Sequence, residues 1–499
     1  MEKEDNKILL IHPPFYRLFL DTFCLNRCPI SLGYLSGTIK KETNWDVMVY
    51  NADFNKNSHS GNYDVSFGFR SGTGFENYLN NLRDLSLSIW DEVRSIIKEY
   101  KPTVVGISTM TPNFASACNV AQLVKEFDEN ILVIVGGPHP SIAGKSSMAC
   151  PYIDIAVRGE GEKTIVDLLN AVSKSDCIDN VKGIMFRNGK HVIENVPQDY
   201  IQSLDTLCFP FDNASEVLKD YEYYPITAFN NVFANRGCPY ACSFCGSRGI
   251  WSKKVRFRPI DHLIAEIKNL QNMGVVSIYF CDDTFGVNKD WIVIFCNSLI
   301  KHCFGLKWSC EIHANIIDDK VLSIMKKAGC YKIELGIESG NNDILEKMKK
   351  QITIEKALEA CNKIRRHGLE LHAYFMAGFP FETESTLNDT LNAINKIDGH
   401  IMISVFTPYP GTELFEFCRE NGLIDEKYDV AMHNHQSLDC FCLNFDQIIF
   451  KCMIENIEQI VDRKNKYYRM KRILSLNTIW RIKQTGLLNS IKKAIKIMN

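Results

Sequence analysis

Residues 235–246, NRGCPYACSFCG, set Cys238, Cys242 and Cys245 in the spacing C-x3-C-x2-C. Three thiolates on one short loop can hold three irons of a [4Fe–4S] cluster and leave the fourth iron without a protein ligand. An iron with an open position can bind a small chelating molecule and pass it an electron, as an open zinc site binds substrate. A structural zinc site is the competing reading, and it calls for a fourth Cys or His close by. The bacterial ferredoxin run, C-x2-C-x2-C-x3-C-P, has its spacings in another order. Chance placement in a cysteine-rich chain is the third option, against which stand the Gly and Pro around the thiols.

The elements that must position this loop alternate between short apolar strands and helical stretches. In the first 200 residues, 7–12, 46–51, 103–108, 131–137 and 153–159 read as strands. Their near-continuous apolar character suits parallel strands buried on both faces. Between them, 30–41, 88–99, 114–127 and 162–173 carry helix-period apolar positions. The alternation predicts an open, doubly wound Rossmann-like sheet with right-handed crossovers and ligands at the carboxyl ends of its strands. The loops there are HPPF, STMTPN, GGPHPS and RGEGE. Gly136 and Gly137 present bare backbone to a large ligand, while Ser108, Thr109 and Thr111 offer hydroxyls to a phosphate or amide. No G-x-G-x-x-G follows any strand, which argues against a dinucleotide.

Residues 174–224 read as a linker with a little local strand. VKGIMFRNGKHVIE places an Asn-Gly pair between alternating runs, the strongest short hairpin signal. From 226 to about 407 the alternation returns, with strands expected at 227–234, 276–281, 307–313, 332–337, 370–377 and 400–406. Helices are expected at 261–273, 289–302, 319–328, 353–367 and 384–397, and Gly274, Gly329 and Gly368 follow three of them as C-caps. Six β/α units form a partial barrel with its site at the C-terminal strand ends. Those ends carry Asp282 and Asp283, Glu311 and His313, Glu338 and Ser339, Gly378 and Pro380, then Tyr409. The paired aspartates can be general bases, solvated caps or partners for an ammonium group; Glu338 and Ser339 can cap the next helix. The expected division is 1–200 for the doubly wound domain with its hairpin, 201–225 for a linker, 226–425 for the barrel and 426–499 for a helical basic extension.

A chain of 499 residues calls for two or three domains. Hydrophobic content of 45% and charged content of 23% are those of a soluble globular protein, and a net charge of −2 argues neither for nor against nucleic acid. No run of 18 apolar residues is present, and the acidic start MEKEDNKILL is not a secretory signal, so a cytoplasmic location is expected. The 19 cysteines then read as mostly reduced thiols. Cys118, Cys150, Cys281, Cys296, Cys303, Cys330 and Cys361 suit small core positions. The pairs Cys24/Cys28 and Cys440/Cys442 are candidate metal or redox sites, although neither has a Cys or His partner at standard metal spacing. No Asp or Glu follows Asp462, and many Lys and Arg do, interleaved with apolar residues. Such a tail can lie on an anionic membrane, bind an acidic partner or pack a basic face on its own protein.

RGCPYACSFC resembles the signature of radical S-adenosylmethionine (radical SAM) enzymes, in the form seen in their cobalamin-binding branch. VVGISTMTPN, VIVGGPHPS and VRGEGEKT are similar to loops of the cobalamin-binding domain that precedes many such cores. The resemblance implies that Cys238, Cys242 and Cys245 hold a [4Fe–4S] cluster whose open iron is chelated by S-adenosylmethionine. It implies S-adenosylmethionine contacts from Phe244, Asp282, Asp283, Glu311, His313, Glu338, Ser339, Gly378 and Pro380. Of these, the aspartates face the methionine amino group, Glu338 and Ser339 the ribose and methionine, and Gly378 and Pro380 the adenine through backbone. Relatives often carry Arg where His313 stands. Cobalamin contacts are implied for Ser108, Met110, Thr111, Pro112, Gly136, Gly137, Pro138, His139, Arg158, Gly159 and Glu160. The D-x-H-x-x-G element is absent, which implies a displaced dimethylbenzimidazole tail and no histidine on the lower cobalt face; His12 and His139 shape loops, and residues 62–75 are the candidates to cover that face.

The activity so implied is that of a cobalamin-dependent radical SAM methyltransferase. A 5′-deoxyadenosyl radical takes hydrogen from an unactivated carbon of a small molecule or natural-product intermediate, and methylcobalamin supplies the methyl group; phosphorus is the less common acceptor. The same cofactors without methyl transfer, in a cyclase or rearrangement enzyme, are the second expectation, and a non-catalytic cobalamin or cluster sensor is the third. The implied electron donor is a reductase such as flavodoxin or ferredoxin, and the protein is expected to be oxygen-sensitive.

Overall fold

The strands of the N-terminal half are apolar throughout because both faces of their sheet are covered. Along β1 (Lys7–His12), Ile8 and Leu10 join one buried cluster, and Leu9 and Ile11 join the other. Helices Ile30–Glu42 and Gly161–Ser173 pack the first side through Leu32, Ile39, Leu168 and Leu169. Ser88–Tyr100 and Phe114–Phe127 pack the second through Trp90, Val93, Val120 and Val124. A computed structural model describes residues 6–57, 74–251, 253–433 and 437–473. Residues 62–73 of the stretch expected to cover cobalt therefore lie outside the described residues.

Four strands run parallel with β1: β2 (Asp46–Asn51), β3 (Val104–Ser108), β4 (Leu132–Gly136) and β5 (Ile155–Val157). β6 (Ile184–Asn188) and β7 (His191–Glu194) complete a seven-stranded sheet in the order β2-β1-β3-β4-β5-β6-β7. The winding reverses between β1 and β3, so the loops after them open side by side at the carboxyl edge. The Asn-Gly signal does make a hairpin, but β6 pairs antiparallel with β5, so the hairpin extends the sheet where the sequence suggested a linker.

The second half begins with β8 (Asn231–Val232), followed by a small antiparallel ribbon of β9 (Asn235–Arg236) and β10 (Arg256–Phe257). Then come β11 (Ser277–Phe280), β12 (Lys307–Glu311), β13 (Cys330–Glu338), β14 (Glu370–Ala377) and β15 (His400–Val405). β8 and β11–β15 are parallel and adjacent in sequence order, a six-stranded partial (β/α) barrel. The apolar run at 227–234 predicts a longer first strand than the structure has. Pro225 opens a short 3-10 turn, Ile226–Phe229, and Asp282 Oδ1 accepts the amides of Ala234 (2.9 Å) and Asn235 (2.6 Å). That carboxylate draws the chain out of the ladder and into β9.

The expected helical extension contains a short turn, Val430–Met432, and one long helix, Gln447–Ile473; the basic residues from Arg481 onward lie outside the described residues. The helix lies along β15. Asn465 Nδ2 donates to the carbonyl of Ile401 (2.7 Å) and its Oδ1 accepts the Ile401 amide (2.8 Å). One side-chain amide thus replaces a neighbouring strand at the barrel edge. Among the described residues no helix is long and apolar enough to cross a membrane. Asn465→Leu should leave two buried backbone groups unpaired and destabilise the edge by about 1–3 kcal/mol. Hydrogen exchange of the Ile401 amide should quicken correspondingly while exchange in β1–β5 stays unchanged.

Candidate functional site

The cysteine loop is held from several sides. Gly237 has φ 107°, and a Cβ there would stand 2.7 Å from the Lys254 carbonyl, so the turn into Cys238 requires glycine. Between the second and third thiols, Ser243 N–H donates to Met348 O (3.0 Å) and Ser243 O accepts from Leu414 N–H (3.0 Å). Ser247 N–H donates to Cys245 Sγ (3.4 Å). All three cysteines are free, and each lies within electrostatic reach of another. Burial pushes the Cys238 thiol up to about 11 and the Cys245 thiol to about 12, a cost that binding a metal as thiolate would have to offset.

The strand ends of the barrel bring the acidic residues to this loop in unequal roles. Asp283 is solvent-accessible within a recess, accepts a hydrogen bond from Ser247 Oγ (3.1 Å), and lies within electrostatic reach of Cys238 and Cys245; burial raises its carboxyl pKa. Asp282, expected beside it as an ammonium partner, is buried and spends Oδ1 on the two loop amides; burial raises it to about 8. Glu311 is raised to about 8 by burial and by Glu334 and Glu338 nearby. Glu338 closes β13 with φ 72°, just past a register shift, and receives Lys350 Nζ at 2.7 Å. Ser339 Oγ accepts the Asn341 amide (3.2 Å), a turn role.

Two expectations change here. His313 is no substitute for a cationic Arg: Nδ1 accepts the Asn315 amide (3.3 Å), and Nε2 bonds the Lys350 carbonyl (3.2 Å). Burial, then Lys350, lowers its pKa to about 3, and its neutral ring stacks on Tyr240 of the cysteine loop at 3.7 Å. Gly378 N–H is taken by Glu382, and the Pro380 carbonyl accepts the Leu443 amide (2.9 Å), so both backbone groups expected for adenine already have internal partners. Phe244 packs beside them, 5.8 Å from Phe379.

The loops after β3 and β4 lie together at the carboxyl edge of the first sheet. Thr109 bonds the Gly136 carbonyl through N–H (2.7 Å) and Oγ1 (2.9 Å), folding the loop after β3 against that after β4. Met110 projects from it, 46% exposed, with Ser108 and Pro112 half-buried on either side. Gly137 (φ 105°) presses on Thr109 O, and a Cβ at Gly159 would meet open space. His139 is buried, lies 3.2 Å from Thr111 Oγ1, and is lowered by burial to about 4, a neutral loop-shaper. Arg158 and Glu160 depart from the expected ligand contacts. Arg158 pairs with Glu194 on the hairpin, and Glu160 is buried against Arg236 (2.6 Å) and Arg256 (2.8 Å).

Two family models match the sequence: the B12 binding domain over residues 70–169 and the Radical SAM superfamily over residues 232–394. The first spans β3–β5 and the second the cysteine loop through β14. The chain is a radical SAM enzyme with a B12-binding domain. It is similar to an uncharacterized methyltransferase of Pyrococcus horikoshii, 29% identical over 428 residues, 84% of each chain. It is also similar to the anaerobic magnesium-protoporphyrin IX monomethyl ester cyclase of Rubrivivax gelatinosus, 28% identical over 358 residues, 69% of this chain and 63% of that one. The fold is shared with the radical S-adenosylmethionine methyltransferase TsrM from Kitasatospora setae, solved with cobalamin and a [4Fe–4S] cluster: TM-score 0.64, 15% identity, over 84% of this chain and 76% of that one.

The cofactors of this radical SAM enzyme are a [4Fe–4S] cluster, S-adenosylmethionine and cobalamin, and the residues present fit them. Among the described residues no three His, Cys, Asp or Glu side chains converge as the ligands of one metal ion. In a [4Fe–4S] cluster each of the three thiolates of the loop would take a different iron. The bare backbone around Met110, Gly136, Gly137 and Gly159 suits a broad, flat macrocycle.

Lys350 was not legible in the sequence. It is buried beneath the cysteine loop; against that burial, Glu338 and Cys242 hold its pKa up. No periodicity or motif marks it, since it follows the short helix Asn342–Lys347 as one of three closely spaced lysines, Lys347, Lys349 and Lys350.

Asp282 gives this site a pH signature. Its folded value of about 8 lies above the ordinary 3.8, so the folded state keeps a proton that the unfolded chain releases. Its contribution to stability is complete below the ordinary value and is lost as pH rises through about 8. Asp282→Asn keeps the Oδ1 acceptor and removes that titration. The thermal midpoint of the cluster-free variant should therefore fall less steeply than wild type between about pH 6 and 9.

Proposed function

We propose that this enzyme is a cobalamin-dependent radical SAM methyltransferase that methylates an unactivated carbon, less commonly phosphorus, of a small molecule held between its two sheets. The observation that carries this reading is that the two sheets meet through the loops at their carboxyl ends. Ile142, from the loop after β4, abuts Gly246 of the cysteine loop and Gly411 after β15, while Tyr409 lies within electrostatic reach of Tyr16 after β1. The methyltransferase from Pyrococcus horikoshii, matched over most of both chains, supports it.

When bound, the cofactors supply the reductive cleavage of a sulfonium and a methyl donor, chemistry that no side chain provides. In this reading Cys238, Cys242 and Cys245 hold the cluster. Lys350 takes the methionine carboxylate that His313 cannot, and Asp283 takes the ammonium group. Glu338, already oriented by Lys350, faces the ribose. Met110 and the backbone of Gly136, Gly137, Pro138 and Gly159 form the bed for the corrin, with Ser108 and Thr111 at its rim. In this reading the loops where the two sheets meet would keep water from the reacting centre. A cytoplasmic reductase of the flavodoxin or ferredoxin type supplies the electron. The Rubrivivax gelatinosus relative favours a second reading, ring closure without methyl transfer.

Anaerobically reconstituted protein, given cobalamin, methyl-labelled S-adenosylmethionine and a reductant, should form labelled methylcobalamin, S-adenosylhomocysteine and 5′-deoxyadenosine. 5′-Deoxyadenosine alone, with cobalamin bound and never methylated, selects the cyclase reading. Cys242→Ala should lose cluster iron and the 5′-deoxyadenosine product together, and full retention of both would refute the cluster assignment.

A further inference from the structure

The cysteine loop is gripped at both of its ends by the other domain. Before Cys238, the Arg236 guanidinium donates to Glu160 Oε1 (2.6 Å) and Glu162 Oε1 (2.5 Å), which stand on the loop after β5 and in the first turn of helix Gly161–Ser173. Arg256, paired with Arg236 across β9–β10, donates to the other oxygen of Glu160 (2.8 Å). All four side chains are buried, and both guanidinium groups lie over the Trp251 ring. Burial opposes the charge on Glu162, yet Arg236 holds its pKa below the usual value. After Cys245, Ile142 fills the space left by three glycines. A Cβ at Gly246 or Gly411 would overlap Ile142, and one at Gly249 would lie 3.3 Å from its Cα.

The gripping residues belong to the loops assigned to cobalamin. Ile142 sits on the short helix Pro138–Ala143, directly after Gly136 and Gly137, and Glu160 follows Gly159. We infer that Arg236 with Glu160 and Glu162, and Ile142 with its three glycines, are positioning residues that couple cobalamin binding to cluster binding. Ordering the loops after β4 and β5 also orders the two ends of the cysteine loop, so each cofactor raises the protein's affinity for the other. Thermodynamic reciprocity requires the same factor in both directions. The inference rests on the cofactor assignment above and does not depend on methyl transfer.

The test is the hydroxocobalamin dissociation constant of the full chain, measured spectroscopically with and without the reconstituted cluster. Wild type should bind cobalamin about 5- to 100-fold more tightly with the cluster present. Ile142→Ala, which leaves both sets of cofactor contacts intact, should bring that ratio close to one while cluster-free protein still binds cobalamin. Arg236→Lys should do the same, because an ammonium group cannot bridge both glutamates as the planar guanidinium does. Hydrogen exchange supplies a readout free of catalysis: adding cobalamin to cluster-free wild type should slow exchange across residues 236–247, and in Ile142→Ala it should not. A wild-type ratio of one, or variants that keep the wild-type ratio, overturns the coupling and leaves the proposed reaction untouched. Failure of the wild type to bind cobalamin at all overturns both.

Discussion

Arg236 brings a full charge into a nearly dry interface between two domains, and a guanidinium there is tolerated only where its donors meet acceptors of opposite charge. Glu160 and Glu162 meet that requirement from one domain, and Arg256, from the other, pairs with the second oxygen of Glu160. Removing any one member would strand a buried charge, so the four stand or fall together. Because Arg236 is two residues from Cys238, the place where this network forms also decides where the first thiol sits. The seating of the cysteine loop against the first domain follows from it.

The recess beneath the thiols has a different electrostatic logic. Asp282 and Glu311 are raised to about 8 and Glu382 to about 7, chiefly by burial, so much of the acidity written in the sequence is muted near neutral pH. Lys350 keeps its charge beside Cys242 and Glu338. In the proposed site the retained Lys350 cation is the group that would meet a methionine carboxylate.

The regular part of the fold was legible because hydrophobic period reports burial. Strands 7–12 and 370–377 and helices 114–127 and 289–302 appear at their expected bounds. Period failed at 227–234, where a carboxylate some fifty residues on captures the backbone, a long-range bond with no local trace. It also misled at the hairpin, whose turn chemistry predicts pairing between its strands and cannot say that a third strand waits beside them. The site was legible by type more than by role. Cys238, Cys242 and Cys245 lie within electrostatic reach of one another on a single loop. Glu160, His313 and Gly378, however, face partners that only the tertiary fold supplies, and Lys350 came from an unremarkable run of lysines.

Those reassignments share one cause. Each residue sits in a motif that could serve a ligand directly, and each instead holds a loop that faces the cavity: Glu160 grips Arg236, His313 stacks under Tyr240, and Glu382 fixes the amide of Gly378. Cofactors that carry their own reactivity need little acid or base help from the protein. They need a fixed separation and a dry cavity, because a misplacement of about 1 Å can cost on the order of a hundredfold in rate. A chain under that demand places many of its charged and aromatic side chains behind the loops, where they set position, and keeps only a few charges, such as Asp283, at the front.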